Sequence, residues 1–395
     1  MQRLADEQHN QMPMNIERRH ILACLLEIPP FLLGLKSIED ILGAVDISPT
    51  LYVLNERHID TFEYETALAA YWERSNARTA TDTLEEIMQR TGNLHRQYPY
   101  AHTSDQYKMK QLLCEYHMLV ADIAYDEQLN KQAIRYLDKA VKMAEENQYN
   151  ELYSVALFRR GNVYFRLGGI EVTANRINFA DQYFSAAISD YTRGLHGLDY
   201  DNEKQSPPLP LHIHGDILLQ LGNAQTRVAR SSTKESLNVI DQAEAIAQQV
   251  QEQEAKHHFT FDSYNLKFNF ERYHLDRASA LLGSPIRALR QPSDAIDELR
   301  KAHDIADAGL ARRSVFSYIL EARAYLDLKH HPIVVTTIQE ALRRVTGVNS
   351  RVNIARIEGV YQSLKQTNYG NTKDVVQLGA DIWKAKNACL PSRMV

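Results

Sequence analysis

The chain is expected to fold as an all-α solenoid of helix hairpins. Three observations lead there: a recurring spacing of small and large apolar residues, a scarcity of turn formers, and a length beyond what one hydrophobic core serves. The spacing is a small residue, a large apolar residue four later, and alanine three after that. It occurs as Ala133, Leu137, Ala140; as Ala180, Phe184, Ala187; as Ser236, Ile240, Ala243; as Ala295, Leu299, Ala302; and, with valine in the small place, as Val334, Ile338, Ala341. Offsets of four and seven put the three side chains on one helix face. Small residues at two of the places let a neighbouring helix approach closely, while the large one fills the groove between helices. The 16 Gly and 12 Pro are too few for a turn-rich β-sandwich. At 395 residues the chain forms either several domains or one elongated array that grows without a single central core.

Each of these helices is preceded by another that carries a small residue and, often, an aromatic three later. Gly161 with Tyr164 and Ala322 with Tyr325 are the clearest cases, and Ala121 with Ala124 is a smaller version. The step from Ala322 to Val334 equals the step from Ala121 to Ala133. Over roughly residues 106 to 346 this pattern resembles the tetratricopeptide repeat, which implies a right-handed α-solenoid of degenerate hairpins. Successive terminal alanines (140, 187, 243, 302, 341) lie 47, 56, 59 and 39 residues apart, all longer than that family's period of about 34. Insertions must therefore lengthen helices or the loops between them. Residues 194 to 211, with Ser206-Pro207-Pro208, are expected to form a long loop. In the fourth pair the first helix, around Leu266 to Leu282, shows no clear register.

Helix punctuation supports the parsing. Ser293 is placed to cap a helix ending at Gly309, and Pro332 fits the first turn of one that stops at Gly347. Upstream, Tyr64 to Arg74 and Thr83 to Leu94 form another amphipathic pair, with Tyr71 and Trp72 on the first helix. Downstream, Ile354 to Leu364 and Lys373 to Ala385 form a degenerate pair bearing Trp383. Atypical terminal pairs suit a solenoid, whose ends need covering. The expected organisation is a tail, apolar hook and linker over 1–48, a capping pair over 49–100, repeats over 101–347 and a second capping pair over 348–395.

A formal net charge of −5 gives no overall attraction to polyanions, so nucleic-acid binding is not expected. A stretch from Ser37 to Glu56 has a helix-turn-helix rhythm, yet no Lys or Arg falls between Ser48 and Glu56 to read bases. Cys24, Cys114 and Cys389 are odd in number and far apart, which excludes a disulfide framework or a metal knuckle and fits a reducing cytoplasm. The apolar run Ile21 to Leu35 is interrupted by Glu27 and Pro29-Pro30 and is too short to span a bilayer, so no membrane association is expected. None of the common phosphate-cradling or hydrolytic motifs occurs, and the chain is not expected to be an enzyme or to need a cofactor. His212, His214, His257, His258, His330 and His331 lack ligand spacing with a cysteine or carboxylate and are expected at loops or helix ends in solvent.

The resemblance directs attention to the concave face, lined by the first helix of each pair. The place after the small residue points into that groove, and holds Asp122, Asn162, Asn223 and Arg323. Asn162 and Asn223 share a Gly-Asn context, and a side-chain amide both donates to and accepts from a peptide backbone. The alternative, that these amides satisfy neighbouring turns, stays open. Phe158 and Phe165 would add an apolar floor, with core packing expected for at least one, and Arg159 and Arg160 would add charge.

The N-terminal run Glu17-Arg18-Arg19 through Pro29-Pro30 to Leu35, followed by a helix around Tyr64 to Trp72 and then by the hairpins, resembles the C-terminal half of bacterial Xre-type helix-turn-helix regulators. The DNA-binding domain of such proteins has no counterpart in the chain, which leaves a truncated homologue, a stand-alone sensor or a mis-started reading frame open. The resemblance implies a cytoplasmic regulatory module that binds a protein or peptide. A passive scaffold, and a helical enzyme with a site in the insertions, are the alternatives.

Overall fold

In a computed structural model, the described residues are 60–77, 81–174, 176–198, 208–228, 233–257, 264, 266–306, 311–348 and 350–388. The apolar hook, the helix-turn-helix-like stretch and most of the expected long loop lie outside them. The described residues contain fourteen α-helices and no β-strand. They run α1 Thr61–Ala77, α2 Thr81–Gln97, α3 Thr103–Asp126, α4 Asn130–Glu146, α5 Asn150–Thr173, α6 Ile177–His196 and α7 Leu211–Arg227. The series continues with α8 Thr233–His257, α9 Phe270–Leu281, α10 Pro292–Asp304, α11 Ala311–Asp327, α12 His331–Val348, α13 Arg351–Lys365 and α14 Lys373–Ala388. No helix among them is long and apolar enough to cross a membrane.

The helices form an all-α solenoid. The five repeats are the hairpins α3/α4, α5/α6, α7/α8, α9/α10 and α11/α12, with α1/α2 and α13/α14 on either side. Each second helix also packs on the first helix of the next pair. The recurring spacing explains this packing. All fifteen residues of the five small-large-alanine triplets are buried, none more than 1% exposed, because each triplet wedges its helix between its partner and the next hairpin. In the first helices glycine does the same: a Cβ on Gly161 would lie 2.5 Å from the Tyr191 ring, and one on Gly222 2.5 Å from Ile240 Cγ1. The extra residues per repeat lengthen helices as well as loops: α3 and α5 have 24 residues and α8 has 25.

Three turns between helices end in the same way without glycine. Gln128, Gln148 and Lys329 take left-handed backbone, with φ of 64°, 58° and 62°. After each, the next N–H reaches back five residues, as from Leu129 to Ala124 O at 2.8 Å, from Tyr149 to Ala144 O at 2.9 Å and from His330 to Tyr325 O at 2.9 Å. These bonds satisfy carbonyls that the helix end leaves open. Glycine-free turns are one reason the chain has so few glycines.

Two boundaries differ from expectation. Helix α10 begins at Pro292, whose missing N–H falls where no intrahelical partner exists, and Gln291 rather than Ser293 holds the cap position. It ends at Asp304 instead of Gly309. Helix α9 is the first helix of the fourth pair. It buries Glu271, Asp276 and Ser279 among Tyr273, Leu275, Ala278 and Leu281, and this mixture hides its apolar period.

Candidate functional site

The first helices α3, α5, α7, α9, α11 and α13 touch one another in sequence, and α13 returns to contact α3. They enclose a lumen. A cavity of about 340 Å³ inside it takes side chains from all six: Asp122, Tyr125 and Asp126 from α3, Arg159, Asn162 and Phe165 from α5, and Gln220 from α7. Arg272 and Asp276 come from α9, Arg312, Arg313 and Phe316 from α11, and Asn353 and Arg356 from α13.

The return contact is polar. Asp126 accepts from Ser350 Oγ at 3.0 Å and pairs with Arg312 at 3.1 Å, Arg351 pairs with Glu127 at 2.6 Å, and Gln128 Nε2 donates to Arg351 O at 2.9 Å. Ion pairs and hydrogen bonds bridge this seam at four places, so its charges should decide whether it closes. Asp126→Ala removes the acceptor for both Arg312 and Ser350. The expected result is an opened seam: a larger radius of gyration by small-angle scattering, with helical circular dichroism unchanged. An identical scattering curve would show that the seam does not depend on Asp126.

Most cationic groups on the lumen wall are matched. Arg159 pairs with Asp122 at 2.9 Å and lies 4.4 Å from the centre of the Trp72 ring. Arg272 sits 2.6 Å from Asp276 and 3.4 Å from Asp216, and Arg313 sits 3.1 Å from Glu271. Burial raises the Asp216 and Asp276 carboxyls above the usual range even though Arg272 pulls them back. Burial likewise lowers Arg159 and Arg313, against the pull of Asp122 and Glu271.

Of the residues expected at the groove, Asp122, Asn162 and Phe165 line the cavity together. Tyr191 Oη donates to Asn162 Oδ1 at 2.8 Å, which fixes the amide and leaves its NH₂ for the lumen. Gly161 is what admits that tyrosine ring, so the Gly-Asn pair works as a unit. The other three lie elsewhere. Phe158 is buried in the core, 6.1 Å from the Tyr191 ring centre. Asn223 is 1% exposed and donates to Asp276 Oδ1 at 3.1 Å and to Leu219 O at 3.2 Å. Arg323 is partly buried outside the cavity lining, in the electrostatic range of Arg290, Asp327 and Arg356. Arg159 reaches the lumen, whereas Arg160 binds Asp190 and Asp138 and ties α5 to α6 and α4.

Gln220 and Arg159 sit one turn before Asn223 and Asn162, and that spacing alone could have singled them out. The contributions of α9 and α13 had no such signal. The histidines also divide: His330 is exposed, but His212 is 2% exposed inside α7 and His331 is half-buried against Tyr369. His212 is the second residue of α7, after Pro210 and Leu211, in the first turn of a helix packed on both sides, where solvent does not reach.

No protein-family model and no curated protein sequence matches the chain. Among solved structures it is similar to the "TPR2AB-domain:pHSP90-complex of yeast Sti1", with 19% identity, a TM-score of 0.22, and coverage of 72% of this chain and 99% of that chain. A superposition that loose carries neither fold nor function across.

Proposed function

We propose that the chain is a non-enzymatic binding protein, a degenerate tetratricopeptide-like solenoid whose lumen holds a segment of polypeptide. The observation that carries this is the convergence of polar side chains from all six first helices on one cavity, with the Asn162 amide held in place by Tyr191. A peptide backbone presents alternating donors and acceptors, and the NH₂ of Asn162, whose Oδ1 is engaged by Tyr191, is suited to donate to its carbonyls. The regulatory role belongs to the same proposal. Occupancy would shift the balance between a closed and an open seam, provided the ligand binds the two with different affinity. A cytoplasmic setting is part of the proposal, and the free, buried thiol of Cys114, donating to Ala140 O, accords with it.

The test is selection of binders from a random peptide library on the full chain, followed by calorimetry of the best peptide. Asn162→Leu should weaken that peptide at least tenfold, about 1.4 kcal/mol, with helical circular dichroism retained at the temperature of the measurement. Equal affinity for both proteins would remove the lumen from the proposal.

A further inference from the structure

The second helix of every pair but the last is covered by the hairpin that follows it. Helix α14 buries Val375, Leu378, Ile382 and Ala385 against α12 and α13, and no hairpin follows it among the described residues. A terminal unit of a solenoid keeps its outer face polar. Here that face is apolar at its centre: Val376 is 63% and Trp383 67% exposed. With Ala380 between them, at offsets of four and seven, they form a second apolar stripe that points away from the buried one. A covered tryptophan normally finds an acceptor for its indole N–H. Trp383 has no ring contact, no cation over its face and no hydrogen bond among the described residues.

The stripe is complementary to itself. In an antiparallel pair of α14 helices that cross at Ala380, Trp383 of each copy enters the hole between Lys373, Val376, Gln377 and Ala380 of the other. All four are exposed. Val376 offers apolar surface, Ala380 is small enough for the helices to approach, and Lys373 can lay its stem along the ring with its ammonium over the face. Gln377 Nε2 donates to Asp381 Oδ1 at 3.0 Å, which leaves Oε1 to accept the indole N–H. The same crossing brings Asp374 of one copy towards Lys386 of the other and sets the helix dipoles head to tail. Charge also favours a second copy. The chain carries a formal net charge of −5, which keeps copies apart elsewhere. Around this face Lys373, Lys384 and Lys386 are balanced by Asp374, Asp381 and Glu358, the last at 2.9 Å from Lys386. A neutral patch neither repels its own copy nor attracts a strongly charged partner.

We infer that the outer face of α14 is the contact of a two-fold homodimer, centred on Ala380 and anchored by Trp383. Both copies use the same patch, so association stops at two. One helix from each copy is a small surface beside the roughly 1,200–2,000 Å² of a standard interface. The dimer is therefore weak, with a dissociation constant on the order of micromolar. This surface lies outside the lumen and does not rest on the peptide proposal.

The test is sedimentation equilibrium of the full chain over a concentration series that spans the micromolar range, with iodide quenching of tryptophan emission at each step. Trp72 is buried, so quenching reports Trp383, the other of the two tryptophans. The parent should pass from monomer to dimer as concentration rises, and quenching should fall in step. Trp383→Ser and Ala380→Glu, both at exposed positions, should each weaken association at least tenfold and keep the helical circular dichroism of the dilute parent. Phe62→Ser, at an exposed aromatic on α1, should dimerise as the parent does. So should Asn162→Leu, which separates failure of this inference from failure of the peptide proposal. A parent that stays monomeric throughout the series, with Trp383 quenched or already shielded, overturns the inference. An open series of larger species does the same, as does a dimer that both α14 variants leave intact.

Discussion

Replacing Ala187 by aspartate is expected to yield an insoluble or partly unfolded protein. Ala187 is fully buried on α6, which packs between α5 and α7, and shares its core cluster with Tyr191, Leu157 and Ile217. A carboxylate there meets no donor and no cation, and an uncompensated buried charge costs about 3–5 kcal/mol or more. Such a loss is a large share of the roughly 5–15 kcal/mol that holds a typical domain together. Because a solenoid is stabilised by its neighbours, the failure should spread first to the hairpins on either side. Ala187→Ser, nearly isosteric, should remain soluble. A soluble Ala187→Asp protein with a parent-like cooperative melt would mean that α6 does not sit in the close contact assigned to it.

The triplets show what could be read from the sequence. Ala180, Phe184 and Ala187 report close helix contact through residue size alone, and size is visible without coordinates, so the five hairpins were legible. The lumen was legible only where a small residue fixes the register, as Gly161 does for Asn162. Phe158 and Asn223 went astray because the groove-facing rule specifies direction and not depth. The first helix α7 is held between α6, α8 and α9, so Asn223 spends its amide on Asp276 instead of reaching the cavity. Arg272, Asp276, Arg313 and Glu271 gave no sign. Arg313 pairs with Glu271 across α9 and α11, and pairing at that sequence distance leaves no local period; Arg272 and Asp276 are four apart on α9, a spacing that on its own reads as an ordinary surface pair and does not report burial. The seam between Asp126 and Arg312 joins residues at opposite ends of the repeat array, so nothing in either local pattern anticipates it.

That buried network makes the last prediction the one most sensitive to pH. Arg272→Met keeps most of the side-chain volume and removes the cation that serves both Asp216 and Asp276. The expected loss near neutral pH is about 3–5 kcal/mol, the penalty for leaving buried charge without its partner. Both carboxyls are already raised by burial in the parent, and losing Arg272 raises them further. A carboxyl whose folded pKa exceeds its unfolded value binds a proton more readily in the folded state. Its contribution to stability is therefore complete below the unfolded value and is lost as pH rises through the folded one. The variant should approach the parent at about pH 5 and fall furthest behind at about pH 8, in urea unfolding followed by circular dichroism. Gln220 and Asn223 still donate to Asp276, which keeps the helices in register while the charge balance changes. An equal deficit at both pH values would show that Arg272 supports the lumen wall through packing and not through its charge.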